Sequence, residues 1–343
     1  MNSSRNKKNI WKEIKKPVLV LAPMAGYTDS AFRLICRGQG ADLVMTELIS
    51  ADAIAFGKFE IEDSRFKVVV RSNRNKSTAE LLSFYRAERP LAVQLFGKNP
   101  DNFGRASLWI SQNLPVDGID INMGCPTKKV IGSDHGAALL KNPKLAIEIV
   151  RMVKSNTSLP VSVKTRLGWQ DDDEILEFAP LLAQAGIDAI IIHGRTYKDG
   201  FSGAAKWQNI YKVKEILGDK TVVIGNGDVG NGQNTGYRIQ KLIENLDGVA
   251  IGRASFGNPS IFRDNIQFTN FQFSIEWKNS VLRHAGLVYE MKGDHGIIEF
   301  RKHMLAYLKG FYGAKELRKK AVQIETLADI DKILNELSQQ KVK

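Results

Sequence analysis

Eight short apolar runs separated by helix-length segments constrain the fold of this chain more than any other feature. The runs are nearly continuous in apolar residues and rich in β-branched side chains, which is typical of parallel strands buried on both faces. They are Val18–Ala22, Leu43–Glu47, Leu91–Phe96, Gly118–Asn122, Val161–Thr165, Ala189–His193, Thr221–Gly225 and Gly248–Gly252. A strand followed by a helix, eight times in roughly 240 residues, predicts an α/β fold of the (β/α)8 TIM-barrel type. A doubly wound open sheet is the alternative, because periodicity alone does not establish closure.

The segments between the runs have helical spacing, as in Pro143–Asn156, Asp173–Ala185 and Gln233–Asn245. From about residue 260 no further buried strand is evident, and helical spacing continues in Ile275–Lys292, Gly296–Tyr312 and Thr326–Gln339. We therefore predict a basic N-terminal tail over residues 1–16, a catalytic barrel over 17–262 and a small helical domain over 263–343.

The net charge predicts an anionic partner. The 343 residues include 49 Lys and Arg against 37 Asp and Glu, a formal charge of +12, which suits nucleic acid or a membrane surface. No apolar stretch approaches the roughly 18 residues of a spanning helix. The basic first 16 residues lack the apolar core of a signal peptide, so we expect a frayed tail on a cytoplasmic protein that does not enter the membrane. A monomer is compatible with the sequence.

A second concentration of positive charge lies in residues 301–320, where seven Lys and Arg face Glu316 alone and Tyr307, Phe311 and Tyr312 are interleaved. This pattern indicates either a solvated helix face over an aromatic core or a nucleic-acid surface.

Polar groups follow almost every predicted strand at its carboxyl end. In a barrel these ends point into one mouth, where enzymes of this fold keep their active sites. The groups include Pro23-Met24-Ala25, Glu47, Gln94, Asn122, Lys164, Arg166, His193, Asn226-Gly227-Asp228 and Gly252-Arg253. This concentration indicates an enzyme.

Cys125 lies in a Gly- and Pro-bent loop that leaves the fourth strand, so its thiol is expected to face the mouth. An ordinary thiol, with a pKa of about 8.5, is mostly protonated at neutral pH, which suits a general acid better than a nucleophile without an adjacent base. Cys36, in an apolar helical stretch, is interpreted as a core residue. Two cysteines argue against a disulfide framework or a Cys-rich metal site.

Lys164 and Arg166 alternate on one strand end, so they share a face. Such cations need a partner, which is either an internal carboxylate such as Glu47 or an anionic ligand. A flavin fits, because a cation at its edge stabilises the reduced anion. Gln94 offers an amide to a heterocycle, and His193 is expected to hydrogen-bond phosphate or substrate rather than bind metal.

The seventh and eighth predicted runs, Thr221–Gly225 and Gly248–Gly252, end in or are followed by small residues, and a cation follows the eighth. Gly227 lets the backbone approach a ligand closely, and Gly252-Arg253 presents backbone N–H groups with a guanidinium. Barrels often bind phosphate at these two strand ends, so a phosphate site is predicted here.

At these residues the sequence resembles the tRNA-dihydrouridine synthase family, closest to its bacterial B-type branch. The resemblance extends from about residue 17 to 265. It is carried by LAPMAGYTDSAFR from Leu21, QLFG from Gln94, GIDINMGCPTKKV from Gly118, PVSVKTRLGW from Pro160, HGRT from His193, GNGD from Gly225 and IGRASFGNP from Ile251. After residue 265 only the helical, basic character is similar.

The resemblance implies an FMN-binding barrel followed by a helical tRNA-binding domain, with NADPH as the reductant. It implies that hydride from FMN reaches C6 of a uridine and that Cys125 protonates C5, with Asn122 and Arg166 near the substrate. The implied FMN contacts are Pro23, Met24, Ala25, Gln94, Lys164, His193, Asn226, Gly227, Asp228, Gly252 and Arg253. Lys128 and Lys129, beside the cysteine, are expected to contact the tRNA backbone.

One departure and two alternatives remain. The family often has a Gly-Ser-Ala-Leu-Leu-like stretch where this chain has Asp134-His135 after Gly132-Ser133, which bears on loop closure and substrate preference. A small-molecule pyrimidine enzyme of the dihydroorotate dehydrogenase kind is one alternative function, although it has no use for a basic helical appendage. A catalytically silent RNA-binding barrel is the other.

Overall fold

Eight parallel strands close into a barrel in the computed structural model, which describes residues 9–127, 132, 134–230, 235–263 and 273–339. The described residues form twelve strands, of which eight make the barrel: β1 Val18–Leu21, β2 Leu43–Met45, β3 Ile49–Ser50, β4 Glu60–Asp63, β5 Lys67–Arg71, β6 Phe84–Tyr85, β7 Leu91–Phe96, β8 Gly118–Met123, β9 Val161–Arg166, β10 Ala189–His193, β11 Val222–Asn226 and β12 Gly248–Ile251. Parallel pairing runs from β2 through β1, β12, β11, β10, β9 and β8 to β7. The pairing of β2 with β7, at Val44 and Leu91, closes the ring. The barrel is confirmed, and the open sheet is wrong.

The helices are α1 Ile10–Glu13, α2 Ser30–Gly38, α3 Ala51–Phe56, α4 Lys76–Leu82, α5 Pro100–Asn113, α6 Pro143–Asn156, α7 Glu174–Gln184, α8 Gln208–Leu217, α9 Thr235–Ile243, α10 Ile275–Tyr307, α11 Ala314–Ala321 and α12 Leu327–Gln339. Between the barrel strands, α6 has the predicted bounds, and α7 lies within the predicted segment. The predicted segment Gln233–Asn245 contains α9, and its first two residues lie outside the described part of the chain. None of the described helices combines the length and the apolar character needed to cross a bilayer.

The barrel interior is apolar toward the amino ends of the strands. Val18, Leu43, Ile191 and Ile224 pack there in one cluster with Trp11 of α1. Trp11 is 1% exposed, and Lys16 pairs with Asp247 at 2.5 Å. The expectation of a frayed tail is therefore wrong for residues 9–16, because this segment buries a large aromatic side chain against the barrel. Residues 1–8 lie outside the described part.

A small antiparallel sheet of β4, β5 and β6 interrupts the βα repeat before β7. The sequence analysis does not predict it. β4 is largely exposed and charged, and β6 has only two residues, so neither gives an apolar run long enough to detect.

Three C-terminal helices form a core of their own. Val281, Phe300, Leu317 and Leu334 are buried in it, and Ala31 of α2 joins the same cluster. α10 contains a kink at Gly293 (φ 62°, ψ −150°), a conformation restricted almost entirely to glycine. This kink lies between the two helices predicted to end at Lys292 and to begin at Gly296.

Candidate active site

A cavity of about 390 Å³ opens at the carboxyl ends of the barrel strands. Fourteen site residues singled out from the sequence line it, and they come from separate strand ends. They are Pro23, Met24, Ala25, Gln94, Asn122, Cys125, Lys164, Arg166, His193, Asn226, Gly227, Asp228, Gly252 and Arg253. The structure thus brings together the predicted site residues except Glu47, which does not line the cavity, and Lys128 and Lys129, which lie outside the described part of the chain.

The described lining of the cavity carries more positive than negative charge. Lys164, Arg166 and Arg253 are its cations, and Asp228 is its carboxylate. Asp228 accepts hydrogen bonds from Arg195 at 2.7 and 2.9 Å and from the Ala205 N–H at 2.7 Å. Burial opposes ionisation, but these bonds hold the pKa of Asp228 below its usual value. The remaining positive charge suits an anionic ligand.

Lys164 donates to a neutral amide and interacts electrostatically with Arg166 and with the buried carboxylate of Asp120. Its Nζ donates to Asn226 Oδ1 at 3.2 Å, while Asn226 Nδ2 donates to the Ala250 carbonyl at 2.7 Å. Burial, together with the charge of Arg166, lowers the pKa of Lys164 to about 8. Glu47, the internal partner considered from the sequence, instead accepts from the Gly26 N–H. An anion beside Lys164 would therefore raise its pKa again and stabilise the charged form.

His193 is a neutral imidazole in the wall of the cavity. Burial and the charges of the surrounding Lys and Arg side chains lower its pKa to about 2. Arg195 Nη1 lies 3.3 Å from His193 Nε2. Because a guanidinium only donates, Nε2 is the acceptor and Nδ1 carries the proton. Among the described residues, no group of three or more His, Cys, Asp or Glu side chains could hold a metal ion.

Glycines allow the backbone to approach the cavity at the ends of β11 and β12. Gly227 has φ +116°, and a Cβ there would lie 3.0 Å from His193 Cδ2 and 2.9 Å from Ala205 Cβ. A Cβ on Gly252 would lie 3.3 Å from Met24 Sδ. A larger residue at Gly227 would displace the imidazole; the close approach of a ligand at this position stays a prediction.

The loop that carries Cys125 is fixed from two sides. Asn122 Oδ1 accepts from the N–H groups of Gly124 and Cys125 at 3.2 and 3.0 Å. Arg166 Nε donates to the Gly124 carbonyl at 2.7 Å. The Cys125 thiol is partly exposed at the cavity and lies 3.3 Å from the Thr127 hydroxyl. The loop therefore presents a single thiol to whatever occupies the cavity.

Arg166 is 2% exposed and joins two loops. Besides its bond to Gly124, its Nη1 donates to the carbonyls of Thr196 and Gly200 at 2.9 and 2.8 Å. Burial lowers its pKa to about 10, so it stays charged at neutral pH. It lines the cavity as expected, but it also holds the wall together.

Sequence reasoning missed several residues of the site. Asp120 is fully buried beneath the cavity, and its spacing from Asn122 was the available signal because residues two apart on a strand share a face. Phe201 is 60% exposed and lines the cavity. The guanidinium carbons of Arg166 and Arg253 lie 5.5 and 5.4 Å from its ring centre. Phe201 belongs to an irregular loop, where no periodicity indicates the direction of a side chain.

The departure after the cysteine loop has local partners. Asp134 has φ 61° and lies 3.4 Å from Lys98 Nζ. The His135 ring packs edge-on against Phe96 with ring centres 5.7 Å apart. The residues between 127 and 134, apart from Gly132, lie outside the described part.

Comparison with known proteins gives one family. The dihydrouridine synthase family model matches residues 20–343. A probable tRNA-dihydrouridine synthase of Aquifex aeolicus is 33% identical over 335 residues, covering 96% of this chain and 98% of the relative. The tRNA-dihydrouridine synthase B of Pasteurella multocida is 35% identical, covering 85% of this chain and 84% of the relative. The enzyme of the same name from Pseudomonas syringae pv. tomato is 34% identical, covering 88% and 85%.

Proposed function

Because this chain belongs to the dihydrouridine synthase family, we propose that it reduces the C5=C6 bond of uridines in tRNA with FMN as cofactor and NADPH as reductant. The observation that carries this proposal is a cation-rich cavity of about 390 Å³ with one thiol at its edge. Cations suit an anionic, phosphate-bearing cofactor, and a protonated thiol suits the second half of a C=C reduction.

The described residues fit FMN. Lys164 would hold the edge of the flavin ring, where its charge favours the reduced anion. Gly252 and Arg253 would hold the phosphate through a backbone N–H and a guanidinium. Asn226, Gly227, Asp228 and His193 would complete that side, while Gln94 and the backbone of Pro23, Met24 and Ala25 would line the ring. When bound, reduced FMN supplies the hydride for C6 of the uracil.

The chain's own residues complete the reduction. Cys125 donates its thiol proton to C5, so that the base gains one hydride and one proton and the thiolate regains its proton from water. Asn122 would position the base beside the thiol, and Arg166 would fix the loop and the local positive charge.

The proposed tRNA surface is the helical region over 263–343 together with Lys128, Lys129 and the rim of the barrel over 17–262. Lys302 of α10 lies 5.6 Å from the ring centre of Tyr27, and Tyr27 lines the cavity. A basic side chain of the helical region therefore lies next to the mouth. Phosphate contacts there would offset the few kcal/mol needed to flip a stacked uridine into the cavity. Since tRNA is the substrate, we place the activity in the cytoplasm.

The test uses the full-length protein, tRNA from a strain that lacks dihydrouridine, and NADPH. We expect flavin absorbance in the purified protein and new dihydrouridine in the tRNA by mass spectrometry. Protein that stays colourless after incubation with FMN and removal of the unbound flavin would favour the silent RNA-binding barrel. Turnover of orotate or dihydroorotate, with tRNA unchanged, would favour the small-molecule pyrimidine enzyme.

A further inference from the structure

A fully buried carboxylate lies beneath the cavity, next to residues that line it. Asp120 is on β8, two residues before Asn122, and it is laterally in register with Gln94 on β7 and Ser162 on β9. Its exposed fraction is zero. The cavity lining includes Gln94 and Asn122 but not Asp120, so Asp120 acts on the site only through its neighbours.

Asp120 accepts two hydrogen bonds, and one of them begins a chain of side-chain hydrogen bonds in which each donor and each acceptor is fixed. Ser162 Oγ donates to Asp120 Oδ1 at 2.6 Å, and Gln94 Nε2 donates to Asp120 Oδ2 at 2.7 Å. The Asp120 carboxylate accepts from both neighbours, with the amide nitrogen of Gln94 turned toward it. Burial raises the pKa of Asp120 to about 7, while the bonds from Ser162 and Gln94 and the charge of Lys164 favour the ionised form.

The chain of hydrogen bonds continues from Gln94 through Asn122 to the loop that carries Cys125. With its nitrogen turned to Asp120, Gln94 presents Oε1 to Asn122 Nδ2 at 3.0 Å. Asn122 in turn presents Oδ1 to the N–H groups of Gly124 and Cys125. If either amide flipped, two donors or two acceptors would face each other in a buried place, which is costly.

We propose that Asp120 is a positioning residue that fixes the Cys125 loop by setting the orientation of the Gln94 and Asn122 amides. Its effect on catalysis rests on the proposed function of Cys125, but its effect on the loop does not.

The direct readout is amide hydrogen exchange at Gly124 and Cys125 in the full-length protein without tRNA. Asp120→Leu removes both acceptor oxygens at similar volume, and exchange at these two amides should accelerate about three- to tenfold, the factor expected for one weakened hydrogen bond. In Asp120→Asn the Ser162 hydroxyl can rotate to accept from the new amide, which leaves one oxygen for Gln94. Exchange in that variant should stay within about twofold of the parent.

Asp247→Leu is the matched control. Asp247 is also a buried carboxylate, but it lies just before β12, at the amino end of the barrel. It accepts from the Val223 N–H at 2.8 Å and pairs with Lys16 and Lys214. Its loss should lower stability without altering exchange at Gly124 and Cys125. If Asp120→Leu does not fold, Gln94→Met breaks the same chain one bond later and should give the same local acceleration.

Dihydrouridine formation is the second readout. Asp120→Leu should lower kcat while the KM for tRNA stays unchanged, because the tRNA surface is not altered. Unchanged exchange at the two amides in a folded Asp120→Leu or Gln94→Met protein would overturn the proposal, as would equal acceleration in Asp247→Leu. Accelerated exchange in Asp120→Leu, when the parent protein itself forms no dihydrouridine, would support the positioning role and contradict the proposed function instead.

Discussion

Lys164 is a cavity cation whose charge changes within the accessible pH range. Its lowered pKa of about 8 means that the unliganded protein holds the ammonium at pH 7 and loses it as the pH rises toward 9. An anionic ligand binds the charged form, so its affinity is full below about pH 8 and falls above it. We expect FMN affinity to weaken up to about tenfold between pH 7 and 9, one decade per pH unit beyond the pKa.

Titration of FMN with the flavin-free protein at several pH values, followed by FMN fluorescence, measures this profile. Lys164→Arg keeps a charge at every pH tested and should flatten it, whereas Lys164→Met should give weak binding at all pH values. A profile in Lys164→Met as steep as that of the parent would assign the pH dependence to another group.

Residues on the barrel strands or directly after them were predictable from the sequence, whereas Phe201, farther along an irregular loop, was not. Gln94, Asn122, Lys164 and His193 follow apolar runs, and parallel strands bring their carboxyl ends to one mouth. The sequence also predicted that Lys164 and Arg166 share a face, and both line the cavity. It did not reveal that Arg166 donates to three backbone carbonyls, since those acceptors belong to loops with no regular geometry.

At the scale of elements, α1 is the segment whose role differs most from expectation. It has only four residues, too few for a helix to be stable by itself. Its stability comes from Trp11, which is buried with the residues at the amino end of the barrel. Composition alone pointed to a basic tail because the lysines outnumber the single tryptophan.

We expect Trp11→Ala to lower the free energy of unfolding by about 3–5 kcal/mol, because removal of the indole leaves a cavity at the amino end of the barrel. Chemical denaturation of the full-length protein measures the change. Lys12→Ala, an exposed neighbour on the same helix, should stay within about 0.5 kcal/mol of the parent. Equal small effects of both substitutions would contradict the conclusion that the burial of Trp11 stabilises this segment.

Two other elements show what the pattern reveals. The helix break between Lys292 and Gly296 coincides with the kink at Gly293, because a glycine-specific backbone conformation leaves a sequence signal. α11 was not predicted as a helix. Four of its eight residues are Lys or Arg, and its apolar face comprises only Ala314, Leu317 and Ala321.

At the scale of the whole molecule, the charge of +12 predicts how tRNA affinity depends on salt. Several C-terminal lysines form exposed ion pairs, such as Lys319 with Glu316 at 2.9 Å. Such pairs contribute little and exchange easily for phosphate contacts. Raising salt from 50 to 200 mM should therefore weaken tRNA binding by more than about tenfold, because the release of counterions on binding is less favourable at higher salt.

Filter binding or fluorescence anisotropy over this salt range gives the slope. Lys302→Gln, beside the mouth, should lower the slope by about one, whereas Lys12→Gln at the opposite end of the barrel should leave it unchanged. A flat salt response of the parent protein would contradict electrostatic docking of tRNA.

The central claim is that Cys125 protonates a uridine that has received hydride in the barrel mouth, and single turnover with Cys125→Ala tests it most directly. The variant and the parent are reduced with NADPH without air, mixed with dihydrouridine-free tRNA, and sampled for dihydrouridine by mass spectrometry. Cys36→Ala, at a buried site away from the cavity, serves as the control and should behave as the parent. We predict that Cys125→Ala keeps FMN and its reduction by NADPH but loses at least about 99% of dihydrouridine formation, the usual contribution of a general acid. Formation of dihydrouridine at the parental rate in Cys125→Ala would contradict the account.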